Sequence, residues 1–249
     1  MRYQGGKHRL AKELGRIIIE RAAGRSTYVE PFVGGASVLA QVAPHFRRVV
    51  AADAQEDLIL MWRAVQDGWI PPTTMPSVED YWAMRDDPTP SPLRAFTGFG
   101  CSFGGGWFAG YARSNTLRED FAMAAHRGIL RKAANFPHAE FRHCDYRLLG
   151  DVIGPDAVVY CDPPYAGTRT YKGTPSAGFD HDMFWRVAAR WSEAGAVVLV
   201  SEYAAPDHWV PIWSKTRHVD FCLDNKGHKA VERLYVHPAH LTAADREAA

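Results

Sequence analysis

The chain is poor in cysteine: four in 249 residues, Cys101, Cys144, Cys161 and Cys222, far apart and with no C-x-x-C pair. That spacing excludes a zinc-ribbon framework and a disulfide scaffold, so reduced thiols are expected. Long apolar runs are missing too. The early residues Arg2, Lys7, Arg9 and Lys12 precede no signal-peptide core, and nothing reaches membrane-spanning length. A soluble, cytoplasmic protein without a membrane partner is expected, and no obligate protein partner is readable. Charge of one sign is not in excess, with 29 basic against 28 acidic side chains and a net charge of +1. Any polyanionic partner must therefore meet a local basic cluster rather than the field of the whole molecule. The histidines contain no H-E-x-x-H spacing, so no metal is expected, and Ser201 lacks the G-x-S-x-G elbow of a hydrolase.

What is present is a core-forming composition, 47% hydrophobic, with a βαβ pattern at its start. Leu10, Leu14, Ile17 and Ile18 recur at helical spacing and predict a helix from about His8 to Ala22. Thr27 to Val29 predicts a short strand that enters Glu30-Pro31-Phe32-Val33-Gly34-Gly35, followed by a helix over Ala36 to Val42. Arg48 to Ala52 predicts a second strand closed by Asp53, and Leu58 to Val65 a further helix. Strand, glycine turn, helix, strand and acidic residue is the order of a nucleotide site, in which a carboxylate placed like Asp53 accepts from ribose hydroxyls. The turn lacks the full G-x-G-x-x-G. Three glycines serve a pyrophosphate, so a nucleoside cofactor without one, such as S-adenosylmethionine, fits better. A plain tight turn with a helix-capping aspartate is the competing reading of the same residues.

Between Gly68 and about Pro137 the character changes. Six prolines break the first part, and glycines alternate with aromatics over Phe96 to Arg113. Residues 1–67 and 138–249 are read as a catalytic core and 68–137 as an insertion of helices and loops. Strands are then expected at Glu140 to His143, Ala157 to Cys161 and Ala196 to Val200, with a closing antiparallel pair at His218 to Leu223 and Ala230 to Val236.

The buried run Ala157 to Cys161 leads straight into Asp162-Pro163-Pro164-Tyr165, and the two prolines end it because neither offers a backbone N–H. A carboxylate and an aromatic ring are thus fixed at a strand's C-terminal end, the ligand edge of an open α/β sheet. Near the N-terminus, Tyr3-Gln4-Gly5-Gly6-Lys7 precedes a helix, where a lysine and free N–H groups would converge on an anion. It is not a P-loop, since His8 follows the lysine.

In order along the chain, Tyr3-x-Gly5-Gly6-Lys7, Val29-Glu30-Pro31-Phe32-x-Gly34-Gly35, Asp53, the insertion and Asp162-Pro163-Pro164-Tyr165 resemble the Dam-like D12 class of DNA adenine N6-methyltransferases, with the α order of motifs. Phe141-x-x-x-Asp145-Tyr146 and Lys229-x-x-Glu232-x-Leu234 extend the resemblance over nearly the whole chain. It implies a Rossmann-like methyltransferase sheet with an inserted target-recognition domain, S-adenosyl-L-methionine as cofactor and double-stranded DNA as partner. It implies Tyr3, Lys7, Phe32, Gly34, Asp53 and Asp162 as cofactor contacts, and Asp162, Pro163 and Tyr165 as the residues facing a flipped adenine. Where the family often carries Ser-Asn after its fifth strand, this chain has Ser201-Glu202-Tyr203. An RNA or protein-amide methyltransferase, or a silent DNA-binding relative, are the alternatives.

In the insertion, Phe99, Phe103, Trp107, Phe108 and Tyr111 offer flat surfaces or wedges, or else a small core. Arg113, Arg118, Arg127, Arg131 and Lys132 form a basic cluster suited to phosphates, with Tyr111, Arg113 and Arg118 the expected DNA contacts. Arg169, Tyr171 and Lys172 suit a loop over the site or an ordinary surface loop.

Overall fold

In the computed structural model, which describes residues 1–113, 120–166, 178–219 and 228–248, a single seven-stranded sheet carries the fold. Its strands are β1 (Thr27–Glu30), β2 (Arg48–Asp53), β3 (Glu140–His143), β4 (Ala157–Cys161), β5 (Val197–Glu202), β6 (Val210–Val219) and β7 (His228–Val236). Their order is β3-β2-β1-β4-β5-β7-β6, in which β7 alone runs antiparallel to both its neighbours. The parallel part reverses direction between β1 and β4, which pair from Thr27↔Ala157 to Val29↔Val159. Such a reversal opens a crevice at the C-terminal ends of the two strands. The fold is a Rossmann-like α/β sheet, as expected.

β1, β4 and β5 are buried on both faces, because helices cover each side. Tyr28, Val158, Tyr160 and Leu199 face α1 (Ala11–Ala22), α2 (Leu39–Val42) and α3 (Glu56–Gln66). Val29, Val159, Cys161 and Val200 face the layer of α7 (His181–Glu193), through Phe184, Ala188 and Trp191. The strand period of two thus separates two cores.

The segment expected to be an insertion comprises α4 (Val78–Asp86), α5 (Pro92–Ala95), a π-helical turn over Phe96–Gly100 and α6 (Phe121–Ala133). Its buried side chains, Tyr81, Phe96, Phe99, Trp107 and Phe108, join the same cluster as α1 and α3. A short α8 (Ala243–Ala248) ends the described chain. Among the described residues no helix is long and apolar enough to cross a membrane, and no group of His, Cys, Asp and Glu suits a metal.

Three expected elements differ. α1 begins at Ala11 rather than His8, because Leu10 N–H closes a turn on Lys7 O at 2.8 Å first. The helix after the glycine turn shrinks to four residues, since Ala36 takes a left-handed φ of 51°. The closing pair is formed by β6 and β7, and β6 starts at Val210, eight residues before the expected His218. Pro211 reads as a breaker in sequence, but β6 is an edge strand with a bulge between Pro211 and Trp213, where proline is tolerated. Trp213 and Lys215 then share one face and both reach Glu13, at 2.8 and 2.6 Å. Residues 220–223 of the expected strand lie outside the described residues.

Candidate active site

Two turns and the N-terminal segment converge at the sheet's switch point. β4 delivers Asp162 with no residue between, Pro163 is buried, and Pro164 and Tyr165 are half-buried. The Lys7 side chain, 5% exposed, places its ammonium 2.5 Å from Asp162 Oδ1 and 3.6 Å from Glu232 Oε1, and it lies 4.6 Å over the Tyr165 ring. Tyr165 donates its hydroxyl to Glu232 Oε1 and meets Tyr203 edge to face at 4.7 Å. The anion that Lys7 binds is thus the protein's own carboxylate. A buried pair of this kind is costly to desolvate, so its geometry has to be tight. Asp162 is 19% exposed, and burial raises its pKa; Lys7 pulls it back down while Glu232 pushes it further up.

The glycine turn stands beside this group. Asp53 Oδ2 accepts from Gly34 N–H and Oδ1 from Gln55 N–H, both at 2.9 Å. Each oxygen keeps further lone pairs for a ligand. Burial raises Asp53's pKa, and the two backbone bonds oppose it. Gly34 has φ of +43°, and a Cβ there would lie 2.7 Å from the Tyr3 ring, so only glycine lets Tyr3 close on the turn. Tyr3 packs on Phe99 of the insertion at 4.9 Å, and burial, then Asp53 and Asp162, lift its hydroxyl pKa well above the usual value.

The structure therefore brings together Lys7, Asp162, Pro163 and Tyr165 in one group and Tyr3, Gly34 and Asp53 in the next. Phe32, in the turn that follows β1, packs with Tyr146, Phe179 and Phe184 at 5.4 to 5.8 Å. Tyr111 donates to Pro76 O at 2.8 Å, and exposed Arg113 lies 5.9 Å over its ring. Arg118, Arg169, Tyr171 and Lys172 lie outside the described residues. Phe99, Trp107 and Phe108 are core, at 5%, 7% and 8% exposure, while Phe103 stands 59% exposed. Lys132 leaves the basic cluster: its ammonium donates to Gly35 O and to Ser37 Oγ, fastening α6 to the glycine turn. Burial lowers its pKa to about 8.

Three acids were given no role by sequence reasoning. Glu30, 2% exposed, accepts from Tyr28 OH at 2.7 Å, and burial pushes its pKa up to about 8. Glu202, 3% exposed, is pushed up to about 7, again mainly by burial. Glu232, 3% exposed, shares parity with buried Leu234 and Val236 on β7, and that inward place for a charge was the signal available. The site is a set of carboxyl groups around one ammonium, a setting suited to a ligand with cationic character and amine hydrogens to donate.

Residues 3–81 match the family model described as D12 class N6 adenine-specific DNA methyltransferase. A DNA adenine methylase of Haemophilus influenzae is 28% identical over 193 residues, covering 67% of this chain and 63% of that protein. The chain thus spans less than two thirds of that relative's length. Among solved structures, a putative RNA methyltransferase from Pyrococcus horikoshii aligns at a TM-score of 0.41 and 10% identity, over 91% of this chain and 81% of that one. An rRNA methylase from Streptococcus thermophilus aligns at 0.39 and 9%, over 90% and 94%. With the ordered motifs now placed around one crevice, residues 3–81 match the D12 class and the chain is similar to a DNA adenine methylase over two thirds of its length.

Proposed function

We propose that the protein transfers a methyl group from S-adenosyl-L-methionine to the exocyclic N6 of an adenine flipped out of double-stranded DNA. The observation that carries this reading is Asp162 and Pro163 side by side at the end of β4, with Lys7 bonded to the Asp162 carboxylate at 2.5 Å. Adenine N6 is a poor nucleophile because its lone pair is delocalised into the ring. Asp162 accepts one N6–H and the Pro163 carbonyl the other, which turns the lone pair out of the ring plane toward the donor. The diproline keeps that carbonyl from rotating away.

The donor set fits this cofactor. Tyr3, Gly34 and Asp53 would hold the adenosine, and Lys7 and Asp162 its amino-acid end, in a carboxyl-rich crevice that favours a positive sulfonium. When bound, the cofactor supplies a methyl group on a good leaving group. Asp162 and Pro163 would hold N6 with its lone pair toward that methyl group, the sulfur leaving with the bonding electrons. The methylated amine is then cationic and strongly acidic, and Asp162, with its raised pKa, is placed to take the proton. In-line transfer asks mainly for positioning.

Tyr165 is the stacking platform for the flipped base. Lys7 lies over its ring and Tyr203 packs edge to face with it, so the base would stack there in place of one of these contacts. Stacking of about 1 to 3 kcal/mol offsets much of an unstacking cost of a few kcal/mol. Tyr111 and Arg113 are the described residues proposed to meet DNA, and the cytoplasm is the proposed location. The test is expression in cells lacking adenine methylation, with their DNA sequenced for modified bases. N6-methyladenine should accompany the wild type and vanish with Asp162→Ala, while that variant still binds DNA. Wild-type turnover by Asp162→Ala, or neither modification nor calorimetric S-adenosylmethionine binding by the wild type, would overturn the proposal.

A further inference from the structure

The turn that carries Asp162 has a structural problem of its own. Pro163 and Pro164 hold no N–H, so this stretch has few backbone donors with which to anchor itself. Past the prolines, Ala166 N–H donates to Glu202 Oε2 at 3.3 Å. The other oxygen of Glu202, Oε1, accepts from Tyr203 N–H at 2.7 Å. One side chain at the end of β5 therefore grips both the exit of the Asp162–Tyr165 turn and the start of its own loop.

The far side of that grip is braced. Glu202 is registered with Arg233 on β7, and the Arg233 guanidinium donates to Tyr203 O at 2.5 Å. Tyr235 donates to the same carbonyl at 3.2 Å, and Tyr203 lies edge to face with Tyr165. The carboxyl is 3% exposed, so solvent offers little substitute for either bond. The position is also where this chain departs from the Ser-Asn pattern of the family it resembles.

We infer that Glu202 is a positioning residue for methyl transfer, holding the Ala166 end of the turn so that the Asp162 carboxylate and the Pro163 carbonyl keep one fixed spacing. The inference rests on the function proposed above. It adds a role for a residue outside the set proposed above to contact base and cofactor. The charged groups around it are Asp162 just past β4, Lys7 from the N-terminal segment, and Arg233 in register on β7. Burial, reinforced by Asp162, raises the Glu202 pKa to about 7, against the pull of its two N–H bonds and of Lys7. Below that pH the carboxyl carries a proton and accepts more weakly; above it the charged form grips harder. Activity should fall as pH drops through about 7, partly through this group.

Glu202→Ala, Glu202→Gln and Glu202→Asn are compared with the wild type in three measurements. Hydrogen exchange of the Ala166 and Tyr203 amides should speed up at least about tenfold in Glu202→Ala, with Leu199 of β5 unchanged. The kcat of methylation should fall about tenfold to a hundredfold in Glu202→Ala, the cost of a small misplacement at the reacting centre. Calorimetric affinity for S-adenosylmethionine should stay within about twofold, and Glu202→Gln should recover part of the rate and flatten the acid limb. Unchanged exchange at Ala166 in a folded Glu202→Ala protein overturns the inference, as does an unchanged kcat. If the wild type binds the cofactor and Ala166 exchange responds but no DNA is methylated, the transfer reading fails while the grip on the turn stands.

Discussion

Glu30 shows how much a single side chain can be asked to tolerate. It is buried beneath the glycine turn, with the Tyr28 hydroxyl as hydrogen-bond donor and Asp162 and Asp53 as like-charged neighbours. Its pKa of about 8 exceeds the ordinary 4.5, so the folded state keeps a proton that the unfolded chain releases first. Between those two values stability falls as pH rises, and above about 8 the loss is complete. Glu30→Gln keeps an acceptor for Tyr28 and cannot titrate. Chemical denaturation at several pH values should show the variant gaining on the wild type by about 2 to 4 kcal/mol from pH 5 to pH 8. Parallel curves would mean that Glu30 is ionised in the fold. At this scale much of the site was legible. Asp162, Pro163, Lys7 and Gly34 each carry a local sign, a diproline, a lysine before a helix or a glycine in a turn. Glu30, Glu202 and Lys132 carry none, because their importance lies in burial and in partners far along the chain.

Elements were legible where hydrophobic periodicity was uninterrupted and least so where the insertion packs by close approach. β4 and β5 read as strands from the unbroken apolar runs Ala157 to Cys161 and Ala196 to Val200, all of which the fold buries. The run from Phe96 to Gly100 has no such period, and it folds as a π-helical turn whose glycines admit aromatic rings. A Cβ on Gly98 would lie 2.5 Å from the Trp107 ring and 2.8 Å from the Phe108 ring. Gly98→Ala should therefore overpack this core and cost about 1 to 3 kcal/mol. Gly150→Ala is the control, since nothing lies within 4 Å of a Cβ there and its φ is not positive. Thermal unfolding should separate the two by several degrees; equal midpoints would show that the ring cluster yields freely. The same contact explains why the aromatics of the insertion could not be sorted from sequence. Trp107 and Phe108 are needed inside because glycine leaves room for them, and Phe103, on the next turn, is left outside.

For the molecule as a whole, the near-balance of charge sharpens the test of DNA binding. A net charge of +1 supplies almost no general attraction to a polyanion, so affinity has to come from side chains placed against phosphates. Lys132, spent on the glycine turn, is not among them, whereas Arg113 is exposed on the rim of the insertion. Each phosphate neutralised releases condensed counterion and adds about 0.9 to the slope of log affinity against log salt. Arg113→Ala should thus weaken binding to any duplex and lower that slope by about one, with little change between sequences. Titrations from about 50 to 200 mM salt on two unrelated duplexes measure both quantities. A lower affinity with an unchanged slope would place Arg113 at a base edge or in a structural role, and the cation–π stack on Tyr111 would then be its purpose. A lower slope with intact Asp162 chemistry would join the two halves of the molecule, one holding the phosphates and the other turning out the amine.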